Sequence, residues 1–424
     1  MKRLILIAGA LFVCICCAQA FVRCKLQGEV KGIETKAIWL KKVSENIHTV
    51  VDNRERRIPV KHGAFEYEFT ADEIQAYEFV FDEDLGSTWG LIFFPDDGLI
   101  RMVIQRSGIG KELICEGGKH NDDYADYIAS LALPFAKRED QLVRWQDSLL
   151  ERDEIESEAF KATRSELKLA GADEERRALV FRKRDELDKT GRRYSDKGAK
   201  FIRSYDSLMA VKTQWTCDYV MKNRTLVSYF LLYNMTRFAK PGSAELALAS
   251  QAYPLFEKEF PQHTYTKILR DQLAGLYFIA PGYKYIDVQA KTLDGKTVEL
   301  SSVLTGKINL INLWGSWCGP CIVKCRKVVP LYNRYKDKGF EVVGIAREFK
   351  NLSALKSRLS KEQFNWMNLV ELDDENGIWS KYVIADGAGL LVLTDQAGVI
   401  LAVNPSPEEL EQIIKGRLQN DTKN

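Results

Sequence analysis

Between residues 21 and 116 the hydrophobic positions recur every second residue. Phe65, Tyr67 and Phe69 alternate with Glu66 and Glu68, and Ile100, Met102 and Ile104 alternate with Arg101 and Val103. Tyr77, Phe79 and Phe81 do the same around Glu78 and Val80. Successive side chains of a strand point to opposite faces, so this rhythm predicts half-buried strands. Gly63, Gly86, Gly90, Gly98 and Gly108 fall between the runs, where chain reversals use them. An all-β, sandwich-like module over 21–118 is the expectation.

Near His120 the period lengthens. Leu142, Trp145 and Leu149 stand at i, i+3 and i+7 with charged residues around them, which is a helical stripe. The stretch up to about residue 200 is dense in mixed charge, as in Asp173-Glu174-Glu175-Arg176-Arg177, and reads as the solvated face of long helices. From 205 to 276 charge thins and aromatics increase, so this is the packed end of one helical domain over 119–280. Pro281-Gly282 closes it, and strands then alternate with helices. Runs at 287–293 and 296–300 flank Asp294-Gly295, a strong hairpin signal. Residues 308–314 and 340–345 read as short buried strands, and 324–338 as a helix stopped by Gly339. A hairpin spans 390–403, and Ser406, Pro407 and Glu409 open the last helix as a capping box. The predicted fold class is multidomain: a β module, a helical domain, and an α/β domain with a mixed sheet over 281–424.

The N-terminus has a different character. Lys2 and Arg3 precede an apolar run to Cys17, and Ala18-Gln19-Ala20 supplies small residues before Phe21. That is the pattern of a secretory signal over 1–20, and the run is shorter than the roughly 20 residues of a membrane span. Export to a periplasm or cell envelope is expected. Lipid anchoring at Cys16 or Cys17 is disfavoured, because neither follows a small residue. Composition narrows the function classes. A formal net charge of +2 gives no field to argue for nucleic acid as a partner, and four His in 424 residues disfavour a His-rich metal enzyme.

Nine Cys remain to be sorted, and three of them, Cys318, Cys321 and Cys325, fall within eight positions. Trp317-Cys318-Gly319-Pro320-Cys321 lies between a predicted strand and the helix that follows. There the first sulfur meets unpaired backbone N–H groups and the positive end of the helix dipole. Both favour the thiolate, the species that attacks disulfides. Cys318 is thus the candidate nucleophile, and Cys321, one turn along and more covered, the resolving thiol. Trp317, Gly319 and Pro320 support the turn, and Pro320 fits because the first helical turn tolerates a missing N–H. A zinc half-site would need a second ligand pair, and a purely structural bridge would close too small a loop to add much stability. Cys325 continues the same helical face, either as a small core residue or as a third thiol exchanging with Cys321. Cys24, Cys115 and Cys217 receive no role.

From 281 to 418, about a third of the chain, the sequence resembles the thioredoxin-like domain of TlpA/ResA-type periplasmic thiol–disulfide oxidoreductases. The resemblance rests on Leu293-Asp294-Gly295-Lys296, on Leu313 to Cys321 and on Tyr335 to Gly344. The remainder is similar in plan to Bacteroidetes-type members, with a β-rich N-terminal module and a helical insert. The resemblance implies an enzyme that reduces protein disulfides, recharged by a membrane thiol relay. It needs no cofactor beyond a redox-active disulfide, and no metal. Relatives of the fold range from about −270 to −120 mV, so the motif alone does not set direction. The sequence departs from the family at four places. Arg326 replaces a helix-kinking Pro, Gly389 the cis-Pro that faces the disulfide, and Asn312 and Lys324 two buried acids. Gly389 would leave the docking backbone less fixed, and the proton carrier of the resolving step is unassigned. The alternative function is a non-catalytic envelope-binding protein on a degenerate thioredoxin-like scaffold.

Overall fold

The computed structural model describes residues 21–420 apart from 47–49, 51–52, 82–89, 108–109, 238, 240–242 and 385–388. The expected signal at 1–20, the turns at Gly86 and Gly108, and Asp386, Gly387 and Ala388 lie outside the described residues. Among the described residues no helix is long and apolar enough to cross a membrane. Backbone contacts divide the chain into two compact units, Met1–Val43 with Glu55–Asp122, and Ser44–Arg54 with Asp123–Asn424.

The first unit is built from strands β1 (Val22–Lys31), β2 (Ala37–Lys42), β3 (Arg57–Pro59), β4 (Ala64–Ala71), β5 (Tyr77–Phe81), β6 (Leu91–Phe93), β7 (Gly98–Ser107) and β8 (Gly110–Glu116). They form two four-stranded sheets, β4-β1-β7-β8 and β3-β2-β5-β6. Among the described strands of this unit only β1 and β7 pair in parallel; the chain visits the other sheet between them. The inward positions of β1 and β7, among them Leu26, Ile100 and Met102, share one core with Ile38, Leu40, Phe79 and Phe93 of the second sheet. This is the sandwich that the alternation predicts. β5 differs from expectation. It is buried along its whole length rather than on one face. Its Glu78 is held inside by Lys41 of β2 at 2.6 Å, since a buried carboxylate needs a close cation to offset its desolvation.

In the second unit the helices are α1 (Lys119–Ala132), α2 (Ala136–Glu151), α3 (Glu158–Ala170), α4 (Glu174–Lys189), α5 (Asp196–Lys222), α6 (Leu226–Thr236), α7 (Ala244–Glu259) and α8 (Thr264–Phe278). Ser157, Asp173 and Ser195 cap α3, α4 and α5, each accepting backbone N–H bonds from the first turn. The predicted stripe of α2 buries Leu142 and Leu149 against Phe201 and Leu208 of α5. α6 is buried from Leu226 to Tyr233, and its Tyr229 and Tyr233 stack on Phe256 and Tyr265 at 4.8 and 4.6 Å. α8 ties the helices to the sheet that follows. A Cβ at its Gly275 would lie 2.3 Å from the Lys381 carbonyl oxygen, so only glycine permits that approach.

The last part of the chain holds β9 (Gln289–Thr292), β10 (Thr297–Glu299), β11 (Ile308–Trp314), α9 (Gly319–Tyr335), β12 (Phe340–Glu348), α10 (Ser353–Glu362), β13 (Met367–Leu372), α11 (Ile378–Lys381), β14 (Leu390–Asp395), β15 (Ile400–Val403) and α12 (Pro407–Asn420). One seven-stranded mixed sheet results, in the order β10-β9-β13-β12-β11-β14-β15, parallel across β11-β12-β13 and antiparallel elsewhere. β11 is covered on both faces. Leu310 and Trp314 pack with Ile322, Leu331, Leu355 and Leu410 of α9, α10 and α12 on one side. Ile311 and Leu313 pack with Ile378 and Trp379 on the other. Burial on both faces explains why this strand reads as an unbroken apolar run. The Ser406–Glu409 capping box forms as predicted, at 2.8 and 3.1 Å.

Candidate active site

The central strand β11 delivers the chain to Gly315, and the turn through Trp317 leads directly into α9. Cys318 is the N-cap residue of α9, with Pro320 in the first turn. Its sulfur accepts the Cys321 backbone N–H at 3.3 Å and lies 2.02 Å from the Cys321 sulfur. The two cysteines are equally enclosed at 4% exposure, so the expected contrast between an open first thiol and a covered second one is not found. Their neighbours Pro320 and Trp317 are exposed, Trp317 at 41%.

A second backbone amide reaches the pair from Gly389, the residue before β14. The Gly389 N–H donates to the Cys321 sulfur at 3.1 Å. No peptide bond among the described residues is cis. Gly389 has no room for a side chain. A Cβ there would lie 1.6 Å from the Leu313 carbonyl oxygen and 2.6 Å from its carbon.

Two residues outside the motif fix the loop. The Ser316 N–H and hydroxyl both donate to the Glu348 carboxylate, at 2.8 and 2.7 Å. The Trp317 indole N–H donates to the Arg347 carbonyl at 2.9 Å. Arg347 is itself held by two bonds to Asp374, at 2.7 and 2.6 Å. Glu348 is 3% exposed, and burial raises its pKa above the usual carboxylate range despite the Ser316 donors. Sequence reading missed Ser316 and Glu348. The available signal was an acid closing the apolar run of β12, thirty positions from the nucleophile.

The remaining positions divide clearly. Cys325 is wholly buried in the core between β11 and α9, and its sulfur accepts the Asn312 side-chain N–H at 3.1 Å. Burial pushes its thiol up to about 12, so it is protonated and unreactive at neutral pH. This geometry favours the core role over exchange. Lys324 lies on the exposed side of α9, where partial desolvation of its ammonium lowers its pKa. Arg326 forms a two-pronged pair with Glu362 at 2.7 and 2.8 Å, and α9 carries its proline later, at Pro330. Cys24, Cys115 and Cys217 are unbridged and lie outside this site. No cluster of metal-ligating side chains occurs among the described residues.

Residues 281–396 match the AhpC/TSA family. The thiol–disulfide oxidoreductase ResA of Bacillus thuringiensis (strain Al Hakam) is 42% identical over 53 residues, which is 12% of this chain and 30% of that protein. The ResA of Bacillus thuringiensis subsp. konkukian (strain 97-27) is 27% identical over 125 residues, covering 29% of this chain and 70% of that protein. The chain therefore spans under a third of the first relative's length. Among solved structures, the thioredoxin domain of a Bacteroides vulgatus thiol–disulfide oxidoreductase covers 33% of this chain and 98% of its own, at 24% identity and a TM-score of 0.30. A thiol:disulfide interchange protein DsbE from Chlorobium tepidum covers 33% and 98%, at 26% identity and a TM-score of 0.29. The C-terminal part of this chain is thus a thioredoxin-like domain similar to those of thiol–disulfide oxidoreductases.

Proposed function

We propose that this chain is an exported thiol–disulfide oxidoreductase that reduces protein disulfides through Cys318 and Cys321. The single observation that carries the reading is the Cys318 sulfur at the N-terminus of a 17-residue helix, accepting a first-turn backbone N–H. The AhpC/TSA match and the ResA relatives support the same class. In the reduced protein, the Cys318 thiolate attacks one sulfur of a substrate disulfide and forms a mixed disulfide. The other substrate sulfur leaves as a thiolate and takes a proton. Cys321 then loses its proton and attacks the Cys318 sulfur, which releases the second substrate thiol and closes the Cys318–Cys321 bond. Two electrons pass from the dithiol to the substrate.

The Gly389 N–H bears on the resolving step, because a donor at the Cys321 sulfur favours its thiolate. Trp317, Gly319 and Pro320 hold the turn in this scheme. The spent disulfide is recharged by an external dithiol, for which a membrane thiol relay at the periplasmic face is the fitting donor. The 21–118 and 119–280 segments then serve as substrate- or partner-facing domains. The test is insulin reduction with dithiothreitol as donor and Cys318→Ser as control. Catalysis lost in the variant supports the reading. Turnover equal in both proteins, or none in either, overturns it in favour of a binding protein.

A further inference from the structure

The paired helices α3 and α4 bring α4 beside the start of α9. They are held together by a Lys183–Glu166 ion pair and by Arg184, which lies 5.0 Å over the Phe160 ring and donates to Thr163. A cleft of about 590 Å³ opens between α4 and the N-terminal turns of α9. Its floor includes Gly319 and Pro320, the two residues between the cysteines, followed by Val323. Phe181 of α4 lines the same space and is 39% exposed.

The charge of the lining is one-sided. Arg177, Arg182 and Lys189 come from α4, and Lys324 and Lys327 from α9. None of the five is in an ion pair among the described residues; Arg177 only bonds the Gly171 carbonyl and lies over Phe181. Two carboxylates share the lining, Asp185 and Glu409, and Glu409 is committed to the α12 cap.

We propose that this cleft is the docking groove for an extended segment of a disulfide-bonded protein substrate, and that it selects segments with acidic residues flanking the cystine. The proposal rests on the oxidoreductase reading and names the substrate class of that site. The apolar strip of Phe181, Pro320 and Val323 takes the side chains next to the cystine, and the five cations take the flanking carboxylates. Gly319 and Pro320 carry the cleft to the residues that follow Cys318 in the chain, so a bound segment runs beside the turn that holds the nucleophile.

The experiment uses the full chain in its reduced form and three disulfides. Two are cystine-bridged peptides that differ only in a pair of flanking Glu or flanking Lys residues. The third is hydroxyethyl disulfide, neutral and too small to span the groove. The Glu peptide is reduced about tenfold faster than the Lys peptide at about 10 mM salt, where charges act over roughly 30 Å. Most of that ratio disappears at about 1 M salt, where the screening length is ~3 Å. Arg182→Glu/Lys189→Glu lowers the ratio towards one, and Lys327→Glu on the opposite wall does so independently of the α3–α4 pair. Equal rates for the two peptides, with hydroxyethyl disulfide still reduced, overturn the docking proposal and leave the oxidoreductase reading standing. A ratio unmoved by both charge reversals also overturns it. Reduction of none of the three disulfides removes the oxidoreductase reading, and the groove with it.

Discussion

Replacing Gly389 with alanine tests how tightly the disulfide is seated. The new Cβ would lie 1.6 Å from the Leu313 carbonyl oxygen, 2.6 Å from the Leu313 carbon and 3.1 Å from the Trp314 Cα. Non-bonded heavy atoms rest at about 3.5 Å or more, so the shortfall at the oxygen is about 2 Å. The obstructing atoms are backbone of β11, paired on both sides with β12 and β14, and have little room to yield. Gly389 must therefore withdraw, and its N–H loses the Cys321 sulfur. Overpacking of this kind costs about 1–3 kcal/mol and a lost hydrogen bond about 0.5–1.5 kcal/mol more. The combined loss of about 2–4 kcal/mol lowers the melting temperature of the oxidised protein by roughly 5–15 °C. Gly389→Pro, which installs the residue usual in TlpA/ResA-type proteins, fares no better here, because it adds a Cβ and removes the donor. Differential scanning calorimetry and insulin reduction read both variants. A melting temperature within about 1 °C of wild type and an undiminished rate would show that the Leu313 backbone leaves room at this position.

Two further outcomes follow from the buried groups near the site. Glu348 has a folded-state pKa raised by burial, so the stability it contributes is intact below about pH 4.3 and is lost as pH rises through the folded value. Glu348→Gln, which keeps an acceptor for the Ser316 hydroxyl, flattens that limb in urea melts across pH. The flattening is partial, since Glu371 is also raised by burial; an unchanged profile would show that Glu348 is not titrating there. Cys325, with its thiol pushed up to about 12, escapes iodoacetamide in the native oxidised protein and is labelled only after unfolding. Labelling in the native state, or a peptide that pairs it with Cys321, would revive the exchanging third thiol.

What the sequence disclosed was what local chemistry determines. The alternation of β4 and β7, the unbroken run of β11 and the Ser406 capping box each follow from the residues that form them. Cys318 at a helix start was legible for the same reason, because strand, turn and Pro320 are contiguous. Long-range pairings were not legible. Lys41 and Glu78 become a buried pair only because β2 and β5 are neighbours, and alternation alone set Glu78 facing solvent. Glu348 reaches Ser316 only because β12 lies parallel to β11, with Trp314 opposite Ala346. Gly389 was read through the freedom of glycine, whereas its constraint is the Leu313 backbone beside it. The cations of α4 read as a solvated face, and nothing local to that helix indicates that Gly319 and Pro320 lie beside it.

The proposed chemistry depends on the helix terminus ionising Cys318 in the reduced protein. A dipole interaction of up to about 2 kcal/mol and a charge-assisted N–H bond of about 1.5–3 kcal/mol act on one sulfur. Both favour the thiolate, so the Cys318 thiol of the reduced protein lies below the free-cysteine value near 8.5. The rate of iodoacetamide attack on Cys318 against pH, in a Cys321→Ser background, measures this directly. A half-maximal rate clearly below the free-cysteine value near pH 8.5 is expected; a midpoint at or above that value would show that the helix terminus does not favour the thiolate.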